Sequence, residues 1–223
     1  DESFWTKKSI FNRAAIFKTI SSNFNIMIRT LLLVFSFAYF TNQSAQFGDI
    51  TLAANHILLQ LVSFAAFFLD GFAFVAEALV GKTIGEKFKA GFDDSVAKTS
   101  VLAGITAIIL ALVIIIFGEL MISALTDIQA IREEASNSLI LIAIYILLSV
   151  AAFQLDGIFI GASFTAQMRD AAIISLLVFL FACWILVPSY QIEGLWWAMI
   201  VYVIARAGAL LIFYPSLRRS LNS

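Results

Sequence analysis

The sequence predicts an all-α, polytopic membrane protein, and three observations carry that prediction. Hydrophobic residues make up 61% of the 223 and charged ones only 13%, against roughly 45–50% and 25% in an ordinary soluble domain. Apolar runs of about 20 residues or more recur along the chain, each long enough to cross a hydrocarbon core about 30 Å thick. Only 2 prolines and 11 glycines interrupt them, which suits helices that satisfy their own backbone groups, as hydrocarbon requires. The same composition excludes a water-soluble globule and a disordered chain. A net charge of −1 provides no basic field, so no nucleic-acid partner is expected. Cys183, the single cysteine, cannot form an internal disulfide and reads as a small buried hydrophobe.

The chain begins at Asp1 rather than Met and has no signal-peptide pattern, so it reads as a fragment. Residues 1–23 place Lys7, Lys8, Arg13 and Lys18 between Trp5, Ile10, Phe11, Phe17 and Ile20, the pattern of a cytoplasmic amphipathic linker lying on a membrane surface. Six spans follow within 24–214, at about 24–46, 51–81, 96–118, 135–165, 170–188 and 194–214. The first ends at Gly48 and Asp49, the second in the stretch from Gly81 to Asp94, and the third at Thr126 and Asp127. The fourth ends at Arg169 and Asp170, the fifth between Pro188 and Gly194, and residues 215–223 form a cytoplasmic tail. Spans two and four, at about 30 residues or roughly 45 Å, are expected to tilt or protrude.

Basic residues orient the spans, because cytoplasmic loops retain Lys and Arg. Lys7, Lys8, Arg13, Lys18, Lys82, Lys87, Lys89, Lys98, Arg169, Arg218 and Arg219 fall on one side, against Arg132 alone in the opposite loops. Both termini are therefore expected in the cytoplasm, with the protein integral to an inner or plasma membrane.

Ionisable residues at bilayer depth are costly and mark candidate functional positions. On span two, His56, Ser63, Asp70 and Glu77 recur every seven residues, a face that drifts only about 20° per step and covers roughly 32 Å. Span four repeats this with Ser149, Asp156 and Ser163, preceded by Tyr145 on nearly the same face, and span one offers Arg29, Ser36 and Gln43. The serines read as interhelical hydrogen-bonding residues. Asp70, Glu77 and Asp156 need water, a cation, a proton or a salt bridge, and Arg29 or Arg206 is expected within reach of one of them. His56 reads either as a proton relay or as a hydrogen-bonded structural residue.

Both aspartates sit in a Leu-Asp-Gly frame, Leu69-Asp70-Gly71 and, 86 residues on, Leu155-Asp156-Gly157, at similar expected depth. Gly71 and Gly157 permit close packing or a helix break that frees carbonyls for a cation. Gly157 with Gly161, and Gly81 with Gly85, have the spacing of tight helix contacts. No nucleophile elbow, phosphate loop, zinc spacing or dinucleotide fingerprint occurs, and the two aspartates lack the local contexts of an intramembrane aspartyl protease, so an enzyme is not expected.

The run Leu52-Ala53-Ala54-Asn55-His56-Ile57-Leu58, with Leu69-Asp70-Gly71-Phe72-Ala73-Phe74-Val75-Ala76-Glu77-Ala78-Leu79-Val80-Gly81-Lys82, resembles the second helix of the C-terminal lobe of multidrug and toxic compound extrusion (MATE) transporters, most of all the DinF-like branch. Leu155-Asp156-Gly157-Ile158-Phe159-Ile160-Gly161-Ala162, continuing to Met168-Arg169, resembles the fourth helix of that lobe, and Arg29-Thr30-Leu31 and Arg206 also match that branch. The resemblance implies one six-helix lobe of a two-lobe, twelve-helix antiporter whose N-terminal lobe is its partner. It further implies export of small organic, often cationic, compounds by alternating access, coupled to H+ or Na+, with no cofactor. The sodium-coupled branch uses acidic residues on the first and fourth helices of this lobe; Asp156 resembles the latter, so a Na+ would lie near it, but span one contains no carboxylate. A flippase-type exporter of lipid-linked molecules from the same superfamily is the alternative, and a structural or intramembrane enzyme subunit is an alternative of another class.

Overall fold

The computed structural model describes residues 13–220. The linker positions Trp5, Lys7, Lys8, Ile10 and Phe11, the Lys18 side chain and tail residues 221–223 lie outside the described residues. Helix α1 runs Arg13–Ala45, α2 Asp49–Gly85, α3 Lys89–Leu125, α4 Gln129–Asn137, α5 Leu139–Gly161 and α6 Thr165–Ser220. Among the described residues, five of these helices are long and apolar enough to cross a membrane, and a kink at Gln191 (φ 51°, ψ −123°) divides the longest, α6, into two arms. Pro188 lacks the N–H that would continue the helical ladder. At the hairpin tip a Cβ on Gly194 would stand 2.6 Å from the Leu186 carbonyl carbon, so only glycine lets the two arms approach there.

Several boundaries differ from the sequence expectation: α3 runs Lys89–Leu125 against an expected 96–118, and two elements are divided differently. The stretch 135–165 is not one long helix: Ser138 (φ −100°, ψ 1°) separates the polar α4 from α5, which has 23 residues. Gln129, Arg132, Glu133 and Glu134 keep α4 at the polar end of the bundle, where only Ile131 and Ala135 are buried. Arg132 also closes the end of α3, donating to the Thr126 and Ser123 carbonyls at 2.7 and 3.1 Å. Residues 13–23 do not form a separate linker helix, because no Gly or Pro interrupts α1 between Arg13 and Ala45; Phe17 and Ile20 remain exposed on it.

Helices α2 and α5 stop by the same device. After α2 the Lys87 N–H donates to Ile84 O and the Phe88 N–H to Thr83 O; after α5, Ser163 donates to Ile160 O and Phe164 to Phe159 O. This double bond pattern needs a left-handed residue, supplied by Lys87 (φ 54°) and Ser163 (φ 60°). Ser163 therefore lies outside α5, not on a helical face with Ser149 and Asp156 as the seven-residue spacing predicted.

Glycine sets how closely α2 and α5 pack. A Cβ on Gly157 would lie 2.9 Å from Ala73 Cα, and one on Gly161 3.0 Å from Glu77 Cα. Both contacts join residues 84 apart, whereas the two Leu-Asp-Gly frames are 86 apart. Asp70 and Asp156 thus differ in depth by only about 3 Å, two residues of helix rise. Beyond Gly161, α2 continues for about two more turns to Gly85, the protrusion its length required.

Buried amides fasten the opposite end of the bundle. Asn55 Nδ2 donates to Ser44 Oγ at 2.9 Å, and Trp196 Nε1 donates to Asn55 Oδ1 at 2.9 Å, tying α1, α2 and the second arm of α6. Trp196 is fully buried and Asn55 nearly so. Asn55→Leu leaves the indole N–H and the Ser44 hydroxyl without that partner, a loss of about 1–3 kcal/mol. Thermal melts of the full-length protein in detergent are expected to show a clear drop for Asn55→Leu and almost none for the exposed neighbour His56→Ala.

Candidate functional site in the lobe interior

Three helices converge on one carboxylate. Arg29 of α1 and Arg206 of the second arm of α6 both donate through Nη2 to Oδ2 of Asp156 on α5. Asp156 is 5% exposed and Arg206 8%, so the charges are largely removed from solvent, and the two guanidiniums against one carboxylate leave the cluster one net positive charge. Reaching this point requires residues 127 and 50 positions apart. The expectation that one arginine would meet one of the acids is exceeded, since both meet the same oxygen.

The cluster forms part of the wall of a cavity of about 500 Å³. Asp70, Glu77 and Ser63 of α2 and the buried Tyr145 of α5 line it as well. Its remaining walls are largely apolar, with Phe37, Phe67, Phe74 and Phe153 among them; Phe67 is 78% exposed and Phe74 66%, so aromatic faces stand at its open side. Two arginines against three carboxylates give the lining a formal charge of −1. Asp70 and Glu77 make no direct hydrogen bond or ion pair among the described residues. An open, slightly anionic, aromatic-rimmed cavity can hold a cationic organic molecule through charge and ring-face contact.

Not every expected site residue joins it. His56 is exposed and does not line the cavity; it precedes Val62, where the α2 lining begins, and lies about 10 Å along the helix from Ser63. A Cβ on Gly71 or Gly85 would meet nothing within 4 Å, so these two are not packing contacts of this lobe, and Gly71 does not break α2. A Cβ on Gly81 would stand at an ordinary 3.5 Å from the Gly161 carbonyl oxygen. The serines are not interhelical ties: Ser36, Ser63 and Ser149 each donate to a carbonyl of their own helix, Leu32, Leu59 and Ile146, which needs no partner helix at all. No group of three His, Cys, Asp or Glu residues suited to a metal occurs among the described residues. A sodium ion on Asp156 Oδ2 has to displace a guanidinium.

Sequence reasoning passed over the amides. Asn25 receives Arg169 Nη1 at 2.9 Å and donates to Thr165 Oγ1 at 3.4 Å, joining α1 to the start of α6. Gln154 donates to Thr99 Oγ1 at 2.5 Å, joining α5 to α3. The usable signal was an amide within an apolar run, since an unpaired amide is costly there.

A multispan bundle with a charged cluster built into an open interior cavity is the architecture of a transporter lobe. The chain belongs to the MatE family, whose model matches residues 26–185. It is 31% identical over 189 residues to DNA damage-inducible protein F of Escherichia coli (strain K12), an alignment covering 85% of this chain and 41% of that protein. Its fold matches the Vibrio cholerae MATE transporter VcmN in the bent form with a TM-score of 0.86 at 18% identity, over 97% of this chain and 50% of that one. The chain therefore spans about half the length of the relatives it matches. It is a DinF-like member of a family of integral membrane transporters rather than enzymes, which removes the enzyme-subunit alternative.

Proposed function

We propose that this chain is the C-terminal six-helix lobe of a secondary-active antiporter that exports small organic, predominantly cationic, compounds in exchange for protons or sodium by alternating access. Both ends of the lobe face the cytoplasm in this reading, and an N-terminal lobe of the same polypeptide closes the other side of the cavity. The observation that carries it is the Arg29–Asp156–Arg206 cluster on the wall of an open, aromatic-rimmed cavity. Exchange requires ion and substrate to bias one two-state equilibrium. Asp156 joins α1, α5 and α6 at a single oxygen, so any competitor for that oxygen or for either guanidinium loosens three helices together. Asp70, about 3 Å away in depth and without a direct partner, is the carboxylate open to a proton or a cation.

The test is transport by the full-length protein in proteoliposomes, following a fluorescent organic cation under an imposed proton or sodium gradient. Gradient-driven movement is expected, reduced several-fold by Asp70→Asn in normally folded protein and unchanged by Ser63→Ala. No movement of the cation under either gradient, with movement of a lipid-linked molecule instead, overturns the antiporter reading in favour of a flippase-type exporter.

A further inference from the structure

Among the described residues, one buried side-chain nitrogen or oxygen lacks a hydrogen-bond partner: Oε1 of Gln154. The residue is 5% exposed, and its amide is held in one orientation. The Thr99 hydroxyl gives its single proton to its own helix, 2.8 Å from Ser95 O and 3.3 Å from Val96 O, so towards Gln154 it can only accept. Nε2 therefore faces Thr99, at 2.5 Å, and the atom left over is an acceptor. A buried acceptor without a donor is costly, and what it calls for is an N–H or O–H.

Gln154 lines a second concavity, of about 360 Å³, between α3 and the second arm of α6, with α5 as its floor. This groove is separate from the cavity at Asp156. On α5 it takes Ala151, Gln154 and Ile158, whereas the cavity takes Phe153, Asp156 and Ile160, and the two sets occupy opposite faces of a helix that turns about 100° per residue. Leu211, on its rim, is 54% exposed, so the groove opens sideways from the bundle, towards hydrocarbon in an integral membrane protein. Its walls are apolar, with no charged residue among the described ones that line it, and the Ser100 and Tyr214 hydroxyls on it make no hydrogen bond among the described residues. An apolar concavity with a few convergent polar groups has the make-up of a small-molecule site.

Depth selects the ligand. Arg218 donates to Asp93 Oδ2 at 2.7 Å, and the Phe92 and Tyr214 rings lie 6.5 Å apart, so α3 and α6 are joined at a charged end of the groove. From Asp93 to Thr99 is about 9 Å along α3, and from the end of α5 at Gly161 to Gln154 about 10 Å. A phospholipid whose phosphate stays at the level of that ion pair offers Gln154 only esters and methylenes, which hold no donor, and drawing the phosphate inwards is costly. A lipid whose glycerol ends in a free hydroxyl carries a donor beside its esters and no charge to desolvate.

We propose that this groove binds one diacylglycerol, with its free hydroxyl donating to Gln154 Oε1, its ester carbonyls accepting from Ser100 and Tyr214, and an acyl chain along Leu155 and Leu211. Because Oε1 is covered by neighbouring side chains, the hydroxyl reaches it as these turn aside, a rotamer change common on binding. The site requires only that the lobe is embedded in a membrane and is independent of the antiporter reading.

The test compares two probes on the full-length protein in detergent: 1,2-dioleoylglycerol, and the same lipid with its hydroxyl acetylated, which keeps the chains and removes the donor. Native mass spectrometry is expected to show one dioleoylglycerol retained with about a tenfold preference over the acetylated lipid, the scale of leaving one buried acceptor unpaired. The melting temperature is expected to rise with added dioleoylglycerol, as binding to the folded state requires. Gln154→Leu should erase the preference while both lipids are still retained, and Leu211→Trp, which fills the groove from an exposed position, should abolish retention of both. Equal retention of the two lipids by the unaltered protein overturns the proposal. So does retention of neither, which leaves Oε1 to an ordered water, and so does a preference that survives both variants, which places the lipid elsewhere.

Discussion

Asp156→Asn in the full-length protein is expected to abolish gradient-driven export and to lower stability together, the largest effect of any single substitution at the cavity. The amide keeps the size of the carboxylate but removes the negative charge shared by Arg29 and Arg206. Two guanidiniums are then left facing each other with side chains 15% and 9% exposed, and breaking a buried charge cluster by removing one member costs about 3–5 kcal/mol. Stability and function separate in a second variant. Asp156→Asn/Arg206→Gln removes one charge of each sign, so its melting temperature should recover much of the loss while transport stays absent. If the single variant transports at the wild-type rate, Asp156 is a structural residue and coupling rests with Asp70 or with the other lobe.

The second large effect is expected at Gly157. A methyl group there meets backbone rather than a yielding side chain, with Ala73 carbonyl carbon at 2.8 Å and Ala73 Cα at 2.9 Å, so α2 and α5 have to move apart. Overpacking of this kind costs about 1–3 kcal/mol and sometimes more. The shift is also transmitted directly to Asp156, the adjacent residue on α5, and to Asp70, three residues before Ala73 on α2. Gly157→Ala should therefore lower both the melting temperature and transport, and Gly161→Ala, against the Glu77 backbone, should do the same to a smaller degree. Gly71→Ala and Gly85→Ala, with open space at their Cβ positions, are the matched comparisons and should leave the melting temperature unchanged. Indistinguishable melts for all four variants contradict the close α2–α5 packing.

These effects show where the sequence was legible. The face shared by Ser63, Asp70 and Glu77 could be read directly, because residues on one helix are related by a fixed rotation per residue, and all three line the cavity. The same rule misplaced Ser163, since it holds only while the helix continues, and α5 ends at Gly161 in a left-handed turn. It also included His56, whose position lies beyond the part of α2 that faces the cavity. The glycine spacings marked four candidates for close packing on two helices, yet only Gly157 and Gly161 stand against neighbouring backbone closely enough to exclude a methyl group. Spacing states which residues share a face, not what lies opposite it.

The sequence by itself determined that this is an all-helical membrane protein, in what order its apolar segments come and which charged groups lie inside them. Those properties depend on local sums: the apolar content of a segment of about 20 residues and the rotation of its own helix. Only the tertiary structure decided that Arg29 and Arg206 share one oxygen of Asp156, that Asn55 holds Trp196 and Ser44, and that Asp70 is left without a direct partner. Each of these joins, or fails to join, residues on different helices. Their meeting depends on the relative depth and rotation of separately formed helices, which backbone contacts such as those at Gly157 and Gly161 set and no single segment encodes.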